Sequence, residues 1–105
     1  DFTINPLRCK SYITQKKKDL TEEDIKILKK HNLIWGCDVC QDVCPHNKNV
    51  QETIIEEFRK NLIYNIDCEE LKQISNREFI RRYGDRAFNW RGKGILIRNH
   101  ELKQE

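Results

Sequence analysis

Three of the chain's five cysteines fall in one short stretch, Trp35-Gly36-Cys37-Asp38-Val39-Cys40-Gln41-Asp42-Val43-Cys44-Pro45-His46-Asn47. Two residues separate Cys37 from Cys40, a spacing that turns two sulfurs toward one metal centre. Three more lead to Cys44, where Pro45 stops the local backbone pattern. A metal is needed for a second reason. In 105 residues, 35% charged and 37% hydrophobic side chains leave little apolar material for a core, so further staples are expected. No apolar leader or bilayer-length run accompanies the cysteines, which argues against a secreted disulfide scaffold and for an intracellular metal protein without membrane contact. The chain opens at Asp1 and contains no methionine, and so reads as a piece of a longer product. Its net charge of +3 matters for partners only where the cations cluster.

The spacing is the closing part of a ferredoxin motif. In two-cluster ferredoxins the run C-x2-C-x2-C-x3-C-P gives three sulfurs to one [4Fe-4S] cluster and the fourth, before proline, to the other. Here Ile34 occupies the first slot, so Cys37 and Cys40 need ligands from elsewhere. Cys9 is the upstream candidate, flanked by Arg8 and Lys10, cations that favour a thiolate. Cys44 is directed to a second cluster. The alternative is a closed, redox-silent zinc site of Cys9, Cys37, Cys40 and Cys44, with His46 as a substitute ligand. The Cys-Pro ending and the absence of a second C-x2-C pair favour iron and sulfur. Cys68 stands alone and reads as a small semi-buried residue. No glycine-rich phosphate loop, nucleophile elbow or histidine–carboxylate constellation is present, so this stretch of chain carries no hydrolytic or nucleophilic centre of its own.

The expected architecture is mainly α: a ferredoxin-like iron–sulfur segment over 1–48, followed by a small helical, Arg-rich segment over 49–105. Residues 1–11 read as an irregular arm carrying Cys9. Thr21 and Asp24 form a capping-box start, with Leu20 and Ile25 as its staple, for a helix ending near His31. Ile54, Ile55, Phe58, Leu62 and Ile63 have helical spacing and predict a helix over about 50–65. Asp67 and Ser75 mark two further helix starts, and Gly92 and Gly94 bracket a turn before the apolar Ile95-Leu96-Ile97. Lys16, Lys17 and Lys18 form either a solvated loop or a phosphate contact. Toward the end, Arg81, Arg82, Arg86, Arg91 and Lys93 alternate with Tyr83, Phe88 and Trp90, a mixture suited either to RNA or to a solvated helix over a core.

Taken together, Arg8-Cys9-Lys10-Ser11-Tyr12-Ile13-Thr14, the loop Gly36 to Asn47 and the Arg-rich Phe79 to Asn99 resemble the C-terminal half of epoxyqueuosine reductases. The resemblance implies two [4Fe-4S] clusters that feed electrons to a cobalamin held by an upstream domain, and reduction of epoxyqueuosine to queuosine in tRNA. It implies that Cys9, Cys37 and Cys40 share one cluster with a cysteine lying upstream, and that Cys44 joins three upstream cysteines on the other. Implied partners are tRNA, the upstream cobalamin-binding domain and an electron donor such as flavodoxin or ferredoxin, in the cytoplasm. A ferredoxin-like domain of another corrinoid-dependent oxidoreductase, or a zinc-stapled nucleic-acid-binding module, is the alternative.

Overall fold

A computed structural model of the chain describes residues 5–104. Its helices are α1 (Lys10–Gln15), α2 (Glu22–Lys30), α3 (Val39–Asp42), α4 (Cys68–Gln73), α5 (Asn76–Tyr83) and α6 (Lys93–Gln104). Short 3-10 turns lie at Pro6–Arg8, Pro45–Asn47, Glu56–Phe58 and Ala87–Arg91. Among the described residues there is no strand, and no helix is long and apolar enough to cross a membrane.

Helix starts sit where local chemistry dictates. Thr21 Oγ1 accepts from the Asp24 amide at 3.0 Å while the Asp24 carboxylate accepts from the Thr21 amide at 3.1 Å, so the short aspartate completes the capping box of α2. Asp67 accepts from the amides of Glu69 and Glu70 to open α4, and Ser75 Oγ from the amide of Glu78 to open α5. The Cys9 arm differs from expectation. Residues 1–4 lie outside the described residues, but Lys10 already begins α1, which buries Ile13 and Thr14. Tertiary burial, rather than any pattern within the arm, makes this helix.

The helix expected over 50–65 does not form. Only Glu56–Phe58 turns, and Ile54, Ile55, Phe58, Leu62 and Ile63 are all exposed. Their spacing supplies an apolar stripe, but nothing in the described structure covers it. A helix gets most of its stability from packing such a stripe, so periodicity alone does not hold one together. Asn61 takes a left-handed backbone (φ 55°), which further breaks the run.

Instead, the core is organised by α6, which packs against α1 and α2 on one hand and α4 on the other. Its buried residues, Ile95, Leu96 and Asn99, share one face about 100° wide, in which the polar Asn99 sits beside the two apolar side chains. Ile95 and Leu96 join Cys68, Leu71 and Phe79 in the buried cluster, with Ile34, Trp35 and Phe88 packed around them. Tyr83 meets Phe79 and Phe88 at ring separations of 5.4 and 5.5 Å, the tilted and edge-on geometries that aromatic quadrupoles prefer. Lys93, the first residue of α6, donates to the carbonyls of Leu71 and Ile74 and so satisfies the open end of α4.

An ion pair shielded from solvent joins the turn after α1 to α2: Lys16 Nζ lies 2.7 Å from Asp24 Oδ2. Its hydrogen bond holds the Asp24 carboxyl below the usual aspartate value, against the opposing pull of burial. A depressed folded-state value means that the stabilisation is complete above the unfolded value and disappears as pH falls through the folded one. The stability difference between wild type and Asp24→Asn should therefore be full at neutral pH and close progressively below about pH 4, as read by denaturant midpoints. In the core, Phe79→Ala should cost about 3–5 kcal/mol, whereas Ile54→Ala at its exposed site should stay within about 0.5 kcal/mol in the same unfolding titration.

Candidate metal centre

Cys9 is the N-cap of α1, with an extended backbone (φ −75°, ψ 123°). The preceding turn fixes it. Asn5 Oδ1 accepts from the Leu7 amide at 3.1 Å, the Cys9 amide donates to the Pro6 carbonyl at 3.1 Å, and the Cys9 carbonyl accepts from Ile13 at 3.0 Å. The sulfur-bearing residue is half-buried while Ile13, one turn on, is buried.

A clasp ties this helix to the cysteine loop. Thr14 Oγ1 donates to the Ser11 carbonyl at 2.7 Å and accepts from the Gly36 amide at 3.0 Å. The Gly36 carbonyl accepts from His31 Nε2 at 2.8 Å, which fixes the proton on that ring nitrogen, since a carbonyl oxygen only accepts. Gly36 itself is buried at φ 78°, a conformation that costs other residues roughly 1–2 kcal/mol. From α6, Asn99 Nδ2 donates to the carbonyls of Thr14 at 2.9 Å and Ile34 at 2.8 Å. Arg98 reaches the carbonyls of Lys16 and Thr14 and, with two N–H groups at 3.0 and 2.8 Å, orients the oxygen of Asn99. Cys37 follows immediately after the Gly36 turn.

The rest of the loop is self-supporting. Cys40 is exposed within α3, and Gln41 Nε2 donates toward its sulfur at 3.9 Å. Cys44 caps the turn that begins with Pro45, and Asn47 closes it by donating to the Gln41 carbonyl at 2.9 Å and side-chain oxygen at 3.1 Å. His46 is exposed. Cys68 lies in the core, where burial pushes its thiol above the ordinary value. That leaves it protonated and apart from the other four.

The clasp brings the Cys9 helix against the Cys37 turn. Among the described residues, however, no three Cys, His, Asp or Glu side chains are gathered so as to hold a metal ion. The donor set fits iron–sulfur chemistry: Cys9, Cys37, Cys40 and Cys44 are free, at least partly accessible thiols, none of them engaged in a disulfide. The basic candidates are dispersed in role. Glu78 is ion-paired to Arg81 and Arg82, which hold its carboxyl down to about 2, and Glu70 is ion-paired to Arg82. Arg86 lies 3.5 Å from Asp85, Lys93 caps α4, and Arg91 stacks on Trp90 with its guanidinium 4.0 Å from the ring centre. The sequence placed Thr14 and Asn99 within stretches that carry the resemblance and His31 at a helix end, but gave none of them a role in the site, because each acts by pairing a backbone group outside its own motif.

A model of the 4Fe-4S double cluster binding domain matches residues 1–47. An epoxyqueuosine reductase of Listeria monocytogenes is 40% identical over 97 residues, covering 91% of this chain and 25% of that protein. One of Lactococcus garvieae is 37% identical over 100 residues, covering 94% and 28%. The chain belongs to the epoxyqueuosine reductase family. The solved Bacillus subtilis enzyme superposes with a TM-score of 0.68 at 36% identity, over 95% of this chain and 27% of that one. A crystal structure of an epoxyqueuosine reductase with a tRNA-Tyr epoxyqueuosine-modified stem loop gives the same TM-score at 37% identity, over 95% and 26%. The chain thus spans about a quarter of the length of these relatives, and the mainly helical fold with a ferredoxin-type segment is that of the family.

Asn99→Ala strands the Ile34 carbonyl and leaves that of Thr14 with only the long Arg98 contact at 3.5 Å, and should destabilise the chain by about 2–4 kcal/mol. Gly36→Ala meets no atom within 4 Å and should cost only the backbone strain of about 1–2 kcal/mol. Chemical denaturation of the two variants ranks them; equal losses would mean that the clasp contributes nothing beyond the turn.

Proposed function

We propose that this chain is the iron–sulfur segment of a tRNA epoxyqueuosine reductase, with Cys9, Cys37 and Cys40 on one [4Fe-4S] cluster and Cys44 on a second, each completed by cysteines of the longer protein. When bound, the clusters would supply one-electron transfer to a cobalamin held in the upstream domain, where epoxyqueuosine in tRNA is reduced to queuosine. The single observation that carries this reading is the Thr14–Gly36 clasp, which sets the Cys9 helix beside the Cys37 turn in a chain of this family.

Within that reading the chain's own residues have distinct tasks. The four thiols are ligands, and two of them stand at ends of short elements that α6 or Asn47 holds in place. His31 and Thr14 engage both the carbonyl and the amide of Gly36, which leaves the turn before Cys37 a single conformation. Ile34 and Trp35 pack on the core and keep water from that side of the loop. Gln41 places an amide N–H near the Cys40 sulfur, the type of contact that tunes a cluster's potential. The 49–105 segment is the support, and its cations, chosen from Arg81, Arg82, Arg86, Arg91 and Lys93, meet tRNA phosphate. Flavodoxin or ferredoxin serves as electron donor, in the cytoplasm.

The test is anaerobic iron and sulfide analysis with EPR on the full-length parent, alongside turnover of epoxyqueuosine-containing tRNA. About eight irons and eight sulfides are expected. Cys37→Ser and Cys44→Ser should each remove about four irons, and Cys68→Ser none. A colourless, zinc-loaded parent would sink the redox reading, and turnover of an organohalide but not of the tRNA would move it to another corrinoid-dependent oxidoreductase.

A further inference from the structure

The turn after α1 and the turn before α6 meet at one point, where Trp90 Nε1 donates to Gln15 Oε1 at 3.0 Å. Two surface hollows of about 730 and 630 Å³ share Lys17, Trp90 and Arg91 in their walls, and Lys18 and Tyr12 line the smaller. Among the described residues, Asp19 is the only carboxylate lining either. The other basic side chains nearby are engaged within the fold: Lys16 with Asp24, Lys93 with α4 carbonyls, and Arg98 with the carbonyls of Thr14 and Lys16. Lys17 and Lys18 are exposed and have no ion pair among the described residues.

Trp90 is 59% exposed although Arg91 lies over its ring. Arg91 Nε and Asn89 Oδ1, both in residues lining the larger hollow, are buried without a partner among the described residues. An exposed indole backed by a guanidinium is a flat, cationic platform, and unpaired polar atoms beside it invite a polar ligand. Flat aromatic surface next to unpaired lysines matches a nucleobase next to phosphates better than it matches a folded protein's carboxylates, which would use the charge and leave the indole idle.

We propose that Lys17, Lys18, Trp90 and Arg91 form an RNA-binding face, the lysines on phosphates and the Trp90–Arg91 pair beneath an unpaired base. The proposal rests on the tRNA reading above and gives it a location: the junction of the lysine turn with the Ala87–Arg91 turn, rather than the ion-paired Arg81 and Arg82. The face lies at the C-terminal end of α1, whose other end is Cys9. Six helical residues span about 9 Å, so RNA held here sits one short helix from a cluster ligand.

Fluorescence anisotropy of a labelled tRNA anticodon stem-loop, titrated with the cluster-loaded full-length parent between about 50 and 200 mM salt, tests it. Lys17→Glu with Lys18→Glu should weaken binding at least tenfold and flatten the log–log salt slope by about 1.5. Trp90→Ala should weaken it about tenfold with the slope unchanged, and Trp90→Phe should recover most of the loss. Lys26→Glu with Lys30→Glu on α2 is the matched charge reversal and should lose far less; cluster absorbance and melting temperature monitor folding in each variant. If wild type binds and the face variants bind equally well, the face is not the RNA site although the tRNA reading stands. A wild type that binds no RNA overturns both. If the lysine reversals slow reduction by flavodoxin while RNA binding is unchanged, the face belongs to an acidic protein and the proposal fails.

Discussion

Two hydrogen bonds from one buried amide hold the ends of this molecule together. Asn99, on the last helix, donates to the carbonyl of Thr14 and to that of Ile34, residues that lie 85 and 65 positions earlier. Without them, the Ile34 carbonyl would face the interior unpaired, a cost of about 1–3 kcal/mol, and the Thr14 carbonyl would keep only the long Arg98 contact. With them, the helix capped by Cys9, the turn leading to Cys37 and α6 become one unit. The Gly36 amide on Thr14 and the His31 ring on the Gly36 carbonyl complete the same network, so the position of Cys37 depends on these polar groups as well as on the packing of Ile34 and Trp35. Such a network fits a loop with few apolar residues to bury, and it is directional, as a metal-binding turn requires.

What was legible in the sequence follows the range of the interaction responsible. Thr21, Asp67 and Ser75 cap helices through contacts two or three residues away, and each start was readable from the residues themselves. The Cys-x2-Cys-x3-Cys-Pro spacing likewise pointed to iron–sulfur chemistry because ligand spacing is local. The stripe at Ile54, Ile55, Phe58, Leu62 and Ile63 was equally regular yet forms no helix, since its stability depends on a surface to pack against. Helix α6 was missed for the converse reason. Its inner face mixes the polar Asn99 with Ile95 and Leu96, and only the fold reveals that Asn99 and Arg98 are held there by backbone carbonyls of α1 and the turn after it.

The basic residues show the same limit in electrostatics. By composition, the segment from Arg77 onward is a run of cations with few acids. In three dimensions Glu70, nearly a helix away in sequence, joins Glu78 in pairing Arg82, and the backbone of α4 engages Lys93. Meanwhile Lys17 and Lys18, which by sequence read as either a solvated loop or a phosphate contact, come to stand beside Trp90 and Arg91. Charge counts identify how much positive charge a chain carries, whereas the ion pairs decide where it is free to act.

The cysteines divide by the same physical rule that separates core from site. Cys68 is on the first turn of α4 but is enclosed by Leu71, Phe79 and Leu96, and desolvation keeps its thiol neutral, the form that packs well and binds iron poorly. Cys9 and Cys44 stand at the starts of short elements, Cys37 follows a left-handed glycine, and Cys40 lies in a four-residue helix. In such short elements most backbone N–H groups have no carbonyl four residues back. Those amides are the donors that sulfur ligands of a cluster use, and a long regular helix would have consumed them. The brevity of α1 and α3 is therefore suited to ligand positions, and the regular secondary structure of α2 and α6 is kept one layer behind, where its role is to hold the turns in place.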